Sequence, residues 1–231
     1  MGLWEFFTIS EKEENKPHKI TATLLGGMLF ITNALFCLNC AGFEILLLNI
    51  PLLFFIFIIE LFSNQPHPFR NIAFTLLGIF YIALPFSLLN HIVLSNGTYK
   101  PEILIGIFFI IWTNDTFAYL TGSRFGKRKL FERISPKKSW EGSAGGAAFS
   151  LLVAFIISKY FEDLSLSNWI IVSIIVIVMG TLGDLVESLY KRSMNIKDSG
   201  TILPGHGGIL DRFDSLIFSI PFVFIYLIWV N

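Results

Sequence analysis

The sequence predicts an all-α, polytopic integral membrane protein of about seven transmembrane helices with a site facing the cytoplasm. Three observations predict it. First, 54% of the 231 residues are hydrophobic and only 15% are charged, which is a membrane composition rather than a soluble one. Second, the chain divides into seven mostly apolar runs close to the roughly 20 residues that a spanning helix needs. Third, lysine and arginine gather in alternate connections between those runs, as the positive-inside bias requires. The 17 basic side chains balance the 17 acidic ones, and this zero net charge speaks against a nucleic-acid partner.

Residues 1–19 lack the basic start and long apolar stretch of a cleavable signal, and their amphipathic first residues predict a cytoplasmic or interfacial segment. The first spans are expected near 20–38, 45–62 and 71–94, an N-terminal membrane region over 20–94. A polar turn at 39–44 and the two prolines of 63–70 separate them. Cys37 and Cys40 read as small apolar helix residues, because no second cysteine pair or nearby histidine completes a zinc set. Asn96, Gly97 and Pro101 open a catalytic region over 95–231, with spans expected near 102–120, 143–160, 168–190 and 214–230. Its polar content lies in two loops, 121–142 and 191–213.

Orientation follows from the cations. One face collects Lys12, Lys16 and Lys19, then Arg70, then the basic run from Arg124 to Lys138, and finally Lys191, Arg192, Lys197 and Arg212. The other face has only Lys100 and Lys159. This asymmetry predicts a multi-pass protein of the cell (inner) membrane with the N-terminus and both basic loops in the cytoplasm. The cluster from Arg124 to Lys129 reads as topology signal or contact with anionic lipid.

The residues that carry chemistry stand at the ends of the spans. Helical steps of about 100° put Asp184, Glu187, Ser188 and Lys191 on one face, with Asp184 a turn or more inside the apolar run. A carboxylate near hydrocarbon is rare and costs roughly 2.5–3.5 kcal/mol on insertion scales, so it is read as functional. The segment that follows, with Ser193 and Asp198, runs into Pro204, Gly205, His206, Gly207 and Gly208, which forbid a regular helix. A glycine-rich turn feeding a helix N-terminus is a natural anion site, with free N–H groups and the positive dipole end aimed at phosphate. Asp211 and Asp214 then fall in the first turns of the last helix and, with Asp184, offer the hard oxygens that suit Mg²⁺ shared with phosphate. Lys191, Arg192, Lys197 and Arg212 supply cations for a polyphosphate. Asn114 and Asp115 sit at another costly position inside the fourth span. Ser135, Lys137 and Lys138, with Ser139, Glu141 and Gly142, read as a second phosphate-contacting turn before the fifth span.

The strings NDTFAYLTGSRFGK, SPKKSWEG, GDLVES and KRSMNIKDSGTILPGHGGILDRFDS resemble the signature of the CDP-diacylglycerol synthases, or phosphatidate cytidylyltransferases, over residues 112–216. The resemblance implies transfer of a cytidylyl group from CTP to phosphatidate, giving CDP-diacylglycerol and pyrophosphate. It also implies Mg²⁺ held by Asp184 and Asp211, K⁺ as a second ion, and a homodimer. Family members usually carry one or two further apolar spans before a segment like Trp4, Glu5, Phe6, so this chain is expected to be short at its N-terminus.

That chemistry needs no nucleophilic side chain, because phosphatidate is itself an oxyanion and the protein has mainly to join two anions and stabilise departing pyrophosphate. On this reading Asp184 and Asp211 serve the metal, Lys137, Lys138, Lys197 and Arg212 offset charge, and His206 bonds a phosphate or fixes its turn. Two other classes fit parts of the pattern. A CTP-dependent kinase of polyprenol or phytol type would share the loops, and an ion-coupled transporter would share the intramembrane carboxylates. The gathering of charge at one face, with no internal repeat, stands against the transporter.

Overall fold

A computed structural model describes residues 1–11, 15–95, 98–196, 199–200 and 207–230. The fold is mostly helical, as predicted, and seven helices are long and apolar enough to cross a membrane: Lys19–Cys37, Glu44–Leu61, Pro68–Val93, Glu102–Phe125, Trp140–Ile157, Leu166–Ser193 and Leu210–Val230. They match the seven expected spans in order. The chain forms two compact units, one of Met1–Tyr99 with Ser193–Phe213 and one of Lys100–Arg192 with Asp214–Asn231.

The first unit opens with α1 (Gly2–Ser10), which is no loose surface piece. Phe6, Phe7 and Ile9 are buried, and Gly78 leaves the space that the Phe7 ring fills. Next come α2 (Lys19–Cys37), the short α3 (Glu44–Leu47) and α4 (Asn49–Leu61). The third span is made of α5 (Pro68–Gly78), a π-helical turn at Ile79–Ala83 and α6 (Leu84–Val93). The π turn has a cause in the sequence: Pro85 lacks an N–H and its ring crowds the carbonyl four residues back, at Tyr81, so the ladder widens there. A buried polar knot ties α4, α5 and the start of α2. Glu60 accepts from Asn71 Nδ2 at 2.9 Å and meets His18 Nε2 at 2.5 Å, while Asn71 Oδ1 accepts from Lys16 N at 2.7 Å. After α6, β1 (Leu94–Ser95) pairs antiparallel with β2 (Thr98–Tyr99).

The second unit begins with α7 (Glu102–Phe125), followed by an antiparallel hairpin of β3 (Lys129–Phe131) and β4 (Ser135–Ser139). Then come α8 (Trp140–Ile157), α9 (Leu166–Ser193) and α10 (Leu210–Val230), the last contributing to this unit from Asp214 on. Small residues let these helices close on one another. An added Cβ at Gly142 would meet Ala118 O at 2.7 Å, and one at Gly146 would meet Asn114 O at 2.7 Å, so α8 lies against the α7 backbone. Gly180 and Gly183 do the same for α9 and α10, where Ser215 Oγ donates to Gly180 O at 3.3 Å. Trp169, Val172, Ile107, Ile110, Ile220 and Val223 fill the core.

Boundaries differ from the sequence reading in a way that bears on the site. The fourth span runs on to Phe125 and takes Arg124 into its last turn, and the sixth runs on to Ser193, so Lys191, Arg192 and Ser193 are helical rather than loop residues. The segment from Ser135 to Ser139 is a strand rather than a turn. Pairing with β3 fixes it, and Ser139 ends it by capping α8, accepting from Gly142 N at 3.2 Å.

Candidate functional site

Within the second unit, α7, the β3–β4 hairpin, the start of α8 and the middle of α9 enclose a cavity of about 470 Å³. From α7 it is lined by Asn114, Asp115, Tyr119 and Ser123. The hairpin brings Lys129, Lys137 and Lys138, α8 brings Gly142 and Ser143, and α9 brings Thr181 and Asp184. Each placement has a local reason. Leaving α7 at Gly126, the chain turns back as a hairpin because Glu141, in the first turn of α8, accepts the backbone N–H groups of Lys127 at 3.0 Å and Arg128 at 3.2 Å. That clasp anchors the strands that bring Lys129, Lys137 and Lys138 to the cavity.

Charge is concentrated on one point. Lys138 forms an ion pair with Asp184, whose other oxygen accepts from Ser188 Oγ at 3.3 Å. Asp115 and Asp214 both lie within direct electrostatic reach of Asp184 and of Lys138, and of each other. Three carboxylates therefore share one lysine, an excess of negative charge that a cation relieves. Beside them Asn114 Oδ1 is buried and has no hydrogen-bond partner among the described residues. An orphaned acceptor is costly, by roughly 1–3 kcal/mol, and a metal ion or a ligand donor would satisfy it. Among the described residues no three His, Cys, Asp or Glu side chains converge as a metal cage. The oxygens fit an ion that completes its shell with phosphate and water, the usual habit of Mg²⁺.

The remaining predicted residues fall elsewhere. Asp211, Gly207 and Gly208 belong to the first unit. There one oxygen of Asp211 accepts from Ser199 Oγ at 2.7 Å, Gly208 N at 2.8 Å and Ser199 N at 3.0 Å. Gly207 has φ +79°, in the left-handed region, and any side chain there would press on Asp211. Arg212 is exposed in the first turn of α10. The stripe on α9 resolves into two pairs four residues apart, Asp184 with Ser188 and Glu187 with Lys191 at 2.5 Å. Neither Lys191, Arg192 and Ser193 nor Ser135 lines the cavity. Lys197, Asp198 and His206 lie outside the described residues.

Two groups of residues escaped the sequence reading. Lys129, Tyr119, Ser123 and Thr181 reach the cavity only through the hairpin and the length of α7 and α9. Glu5 is the other. It accepts the backbone N–H groups of Ile209 at 3.0 Å and Leu210 at 2.9 Å, so the donors expected to await a phosphate at the start of α10 are held by the protein's own carboxylate. The available signal was an acidic residue flanked by Trp4, Phe6 and Phe7.

These features define a class: a helical protein of seven membrane-capable segments in which carboxylates and lysines line one cavity. The profile described as "Cytidylyltransferase family" matches residues 1–230, and the chain belongs to that family. It is 43% identical over 168 residues to the phosphatidate cytidylyltransferase of Staphylococcus haemolyticus (strain JCSC1435), covering 72% of this chain and 63% of the relative. Identity to the protein of the same name from Staphylococcus aureus (strain COL) is 44% over 168 residues, covering 72% and 63%. For the one from Staphylococcus saprophyticus subsp. saprophyticus it is 42% over 170 residues, covering 73% and 64%. The chain thus spans just under two thirds of the length of these curated relatives.

Proposed function

We propose that the protein is a phosphatidate cytidylyltransferase, joining CTP and phosphatidate to give CDP-diacylglycerol and pyrophosphate in phospholipid synthesis. The observation that carries the reading is the meeting of Asp115, Asp184 and Lys138 in a cavity lined by further lysines, with Asp214 in electrostatic reach of all three. Membership of the family and the names of the relatives support the choice of substrates.

In the reaction, a phosphate oxygen of phosphatidate attacks the α-phosphorus of CTP. The bond from that phosphorus to the bridging oxygen breaks, and the electron pair leaves with pyrophosphate. Lys137, Lys138 and Lys129 hold the phosphates near one another and offset the charge that builds on the leaving group. In this proposal Lys197 and Arg212 supply further cations to the phosphates, and His206 bonds a phosphate or fixes its turn. Asp184 and Asp211 would hold Mg²⁺ against the phosphate oxygens, where it supplies charge neutralisation and alignment. Pairing these two rests on the resemblance, since they belong to different units. Asp115, Asp214 and the orphaned Asn114 Oδ1 add oxygen donors for Mg²⁺ or for K⁺ as a second ion.

The enzyme works in the cell (inner) membrane as a homodimer, with its N-terminus and basic connections in the cytoplasm where CTP is found. The lysine and arginine asymmetry supports that orientation. Product analysis on the purified chain tests the proposal. Mg²⁺-dependent release of pyrophosphate is expected, whereas release of CDP would make the protein a lipid kinase instead.

A further inference from the structure

We propose that Glu5, at the far end of the chain from the last span, is a positioning residue for Asp211; the inference deepens the cytidylyltransferase reading and rests on it. Glu5 is only 6% exposed, and among the described residues no cation pairs with it. A carboxyl group is tolerated in such a place where hydrogen bonds and dipoles replace the water it has lost. Here they do. Its two oxygens take the N–H groups of Ile209 and Leu210, at 3.0 and 2.9 Å, at the positive end of α10, and Ser199 Oγ lies 3.5 Å away.

The start of α10 lacks a cap of its own, because Ile209 has no polar side chain. Glu5 supplies the cap across 205 positions of sequence and thereby leaves Asp211 to other partners. Asp211 uses one oxygen to draw in Ser199 and Gly208. Ser199 stands between the two carboxylates, with its hydroxyl proton directed to Asp211, the nearer of the two. The glycines are shaped around this clasp: a Cβ on Gly208 would meet Glu5 Oε2 at 2.6 Å, and one on Gly200 would meet Glu5 Oε1 at 3.0 Å. The rotamer of Asp211 is therefore set, through Ser199 and the backbone at 208–210, by a carboxylate on α1. The burial of Phe6 and Phe7, which follow Glu5 on α1, holds the helix in place.

The test uses the full chain in detergent with Glu5→Gln and Glu5→Asp. Gln keeps the size but turns one acceptor into a donor facing two N–H groups, and Asp keeps both acceptors one methylene short. Amide exchange at Gly208, Ile209 and Leu210 reads the clasp, Mn²⁺ binding without substrate reads the carboxylate it positions, and kinetics read the consequence. Glu5→Gln is expected to lose amide protection, to weaken Mn²⁺ binding by about ten- to a hundredfold and to lower kcat with little change in the KM for phosphatidate. Glu5→Asp is expected to recover part of all three. If Glu5→Gln loses protection yet keeps wild-type Mn²⁺ binding and kcat, Glu5 is only a helix cap and the proposal fails. If Glu5→Gln does not fold, Glu5→Asp carries the test, and lost amide protection with wild-type Mn²⁺ binding and kcat there overturns it equally. A wild-type chain that shows the protected amides but transfers no cytidylyl group overturns the functional reading itself, and the positioning role with it.

Discussion

Lys138 on β4 and Asp184 on α9 form an ion pair at the wall of the cavity, each half-buried, with Asp115 and Asp214 in electrostatic reach of both. A single cation facing three carboxylates cannot neutralise them, so the arrangement is poised for a second positive charge. It also places a lysine where phosphate would arrive.

Replacing that lysine is the first check. Lys138→Met keeps the length of the side chain and removes its charge. The expected result is a fall in kcat/KM for CTP of at least about tenfold, equivalent to about 1.4 kcal/mol of transition-state stabilisation. Steady-state kinetics over a CTP series measure it.

The carboxylates should differ in kind. Asp184→Asn is expected to abolish pyrophosphate release at every Mg²⁺ concentration, because Asp184 pairs with Lys138 and, in the proposed function, would also hold the ion. Asp115→Asn removes a neighbouring oxygen charge only, so activity should return at higher Mg²⁺, with the half-saturating concentration raised by about ten- to a hundredfold. A Mg²⁺ titration of both variants separates the roles.

Packing of α8 on α7 supports the site, and glycine variants test this. An added methyl at Gly146 would meet Asn114 O at 2.7 Å and Oδ1 at 2.8 Å, a backbone atom among them. Gly146→Ala is expected to cost about 1–3 kcal/mol of stability and to lower activity by displacing Asn114 and Asp115. Gly27→Ala on α2 has nothing within 4 Å of the new methyl and should be neutral or slightly stabilising. Thermal unfolding in detergent compares them.

The knot at Glu60 concerns stability alone. Glu60→Leu removes the buried partner of the His18 ring and of one Asn71 Nδ2 N–H, the other donating to Pro66 O, at a cost of about 1–3 kcal/mol. A lower unfolding temperature with unchanged turnover at a permissive temperature is the expected outcome.

Much of this molecule was legible in the sequence, and the reasons are physical. Spans announce themselves because hydrocarbon demands about 20 apolar residues at a stretch, and all seven helices fall within a few residues of the expected runs. Asn114, Asp115 and Asp184 stood out because a polar group inside an apolar run is expensive, and all three line the cavity. Helix ends were harder to read. Arg124, Lys191 and Arg192 are helical because polar residues are welcome where a span leaves the apolar layer, so composition marks the membrane boundary and not the end of the helix. The β3–β4 hairpin was missed because strands of three and five residues carry no periodicity that stands out from a basic loop. Glu5 was missed as a partner of Leu210 because a cap delivered from 205 positions away leaves no local pattern.

The central claim is that the cavity moves the α-phosphorus of CTP onto a lipid phosphate, and isotope position tests it most directly. Purified chain is supplied with phosphatidate, Mg²⁺ and CTP labelled either at the α- or at the γ-phosphorus. The account predicts α-label in the lipid product and γ-label in pyrophosphate, with both transfers lost in Asp184→Asn. Label from the γ-phosphorus appearing in lipid, or full transfer by Asp184→Asn, would contradict it.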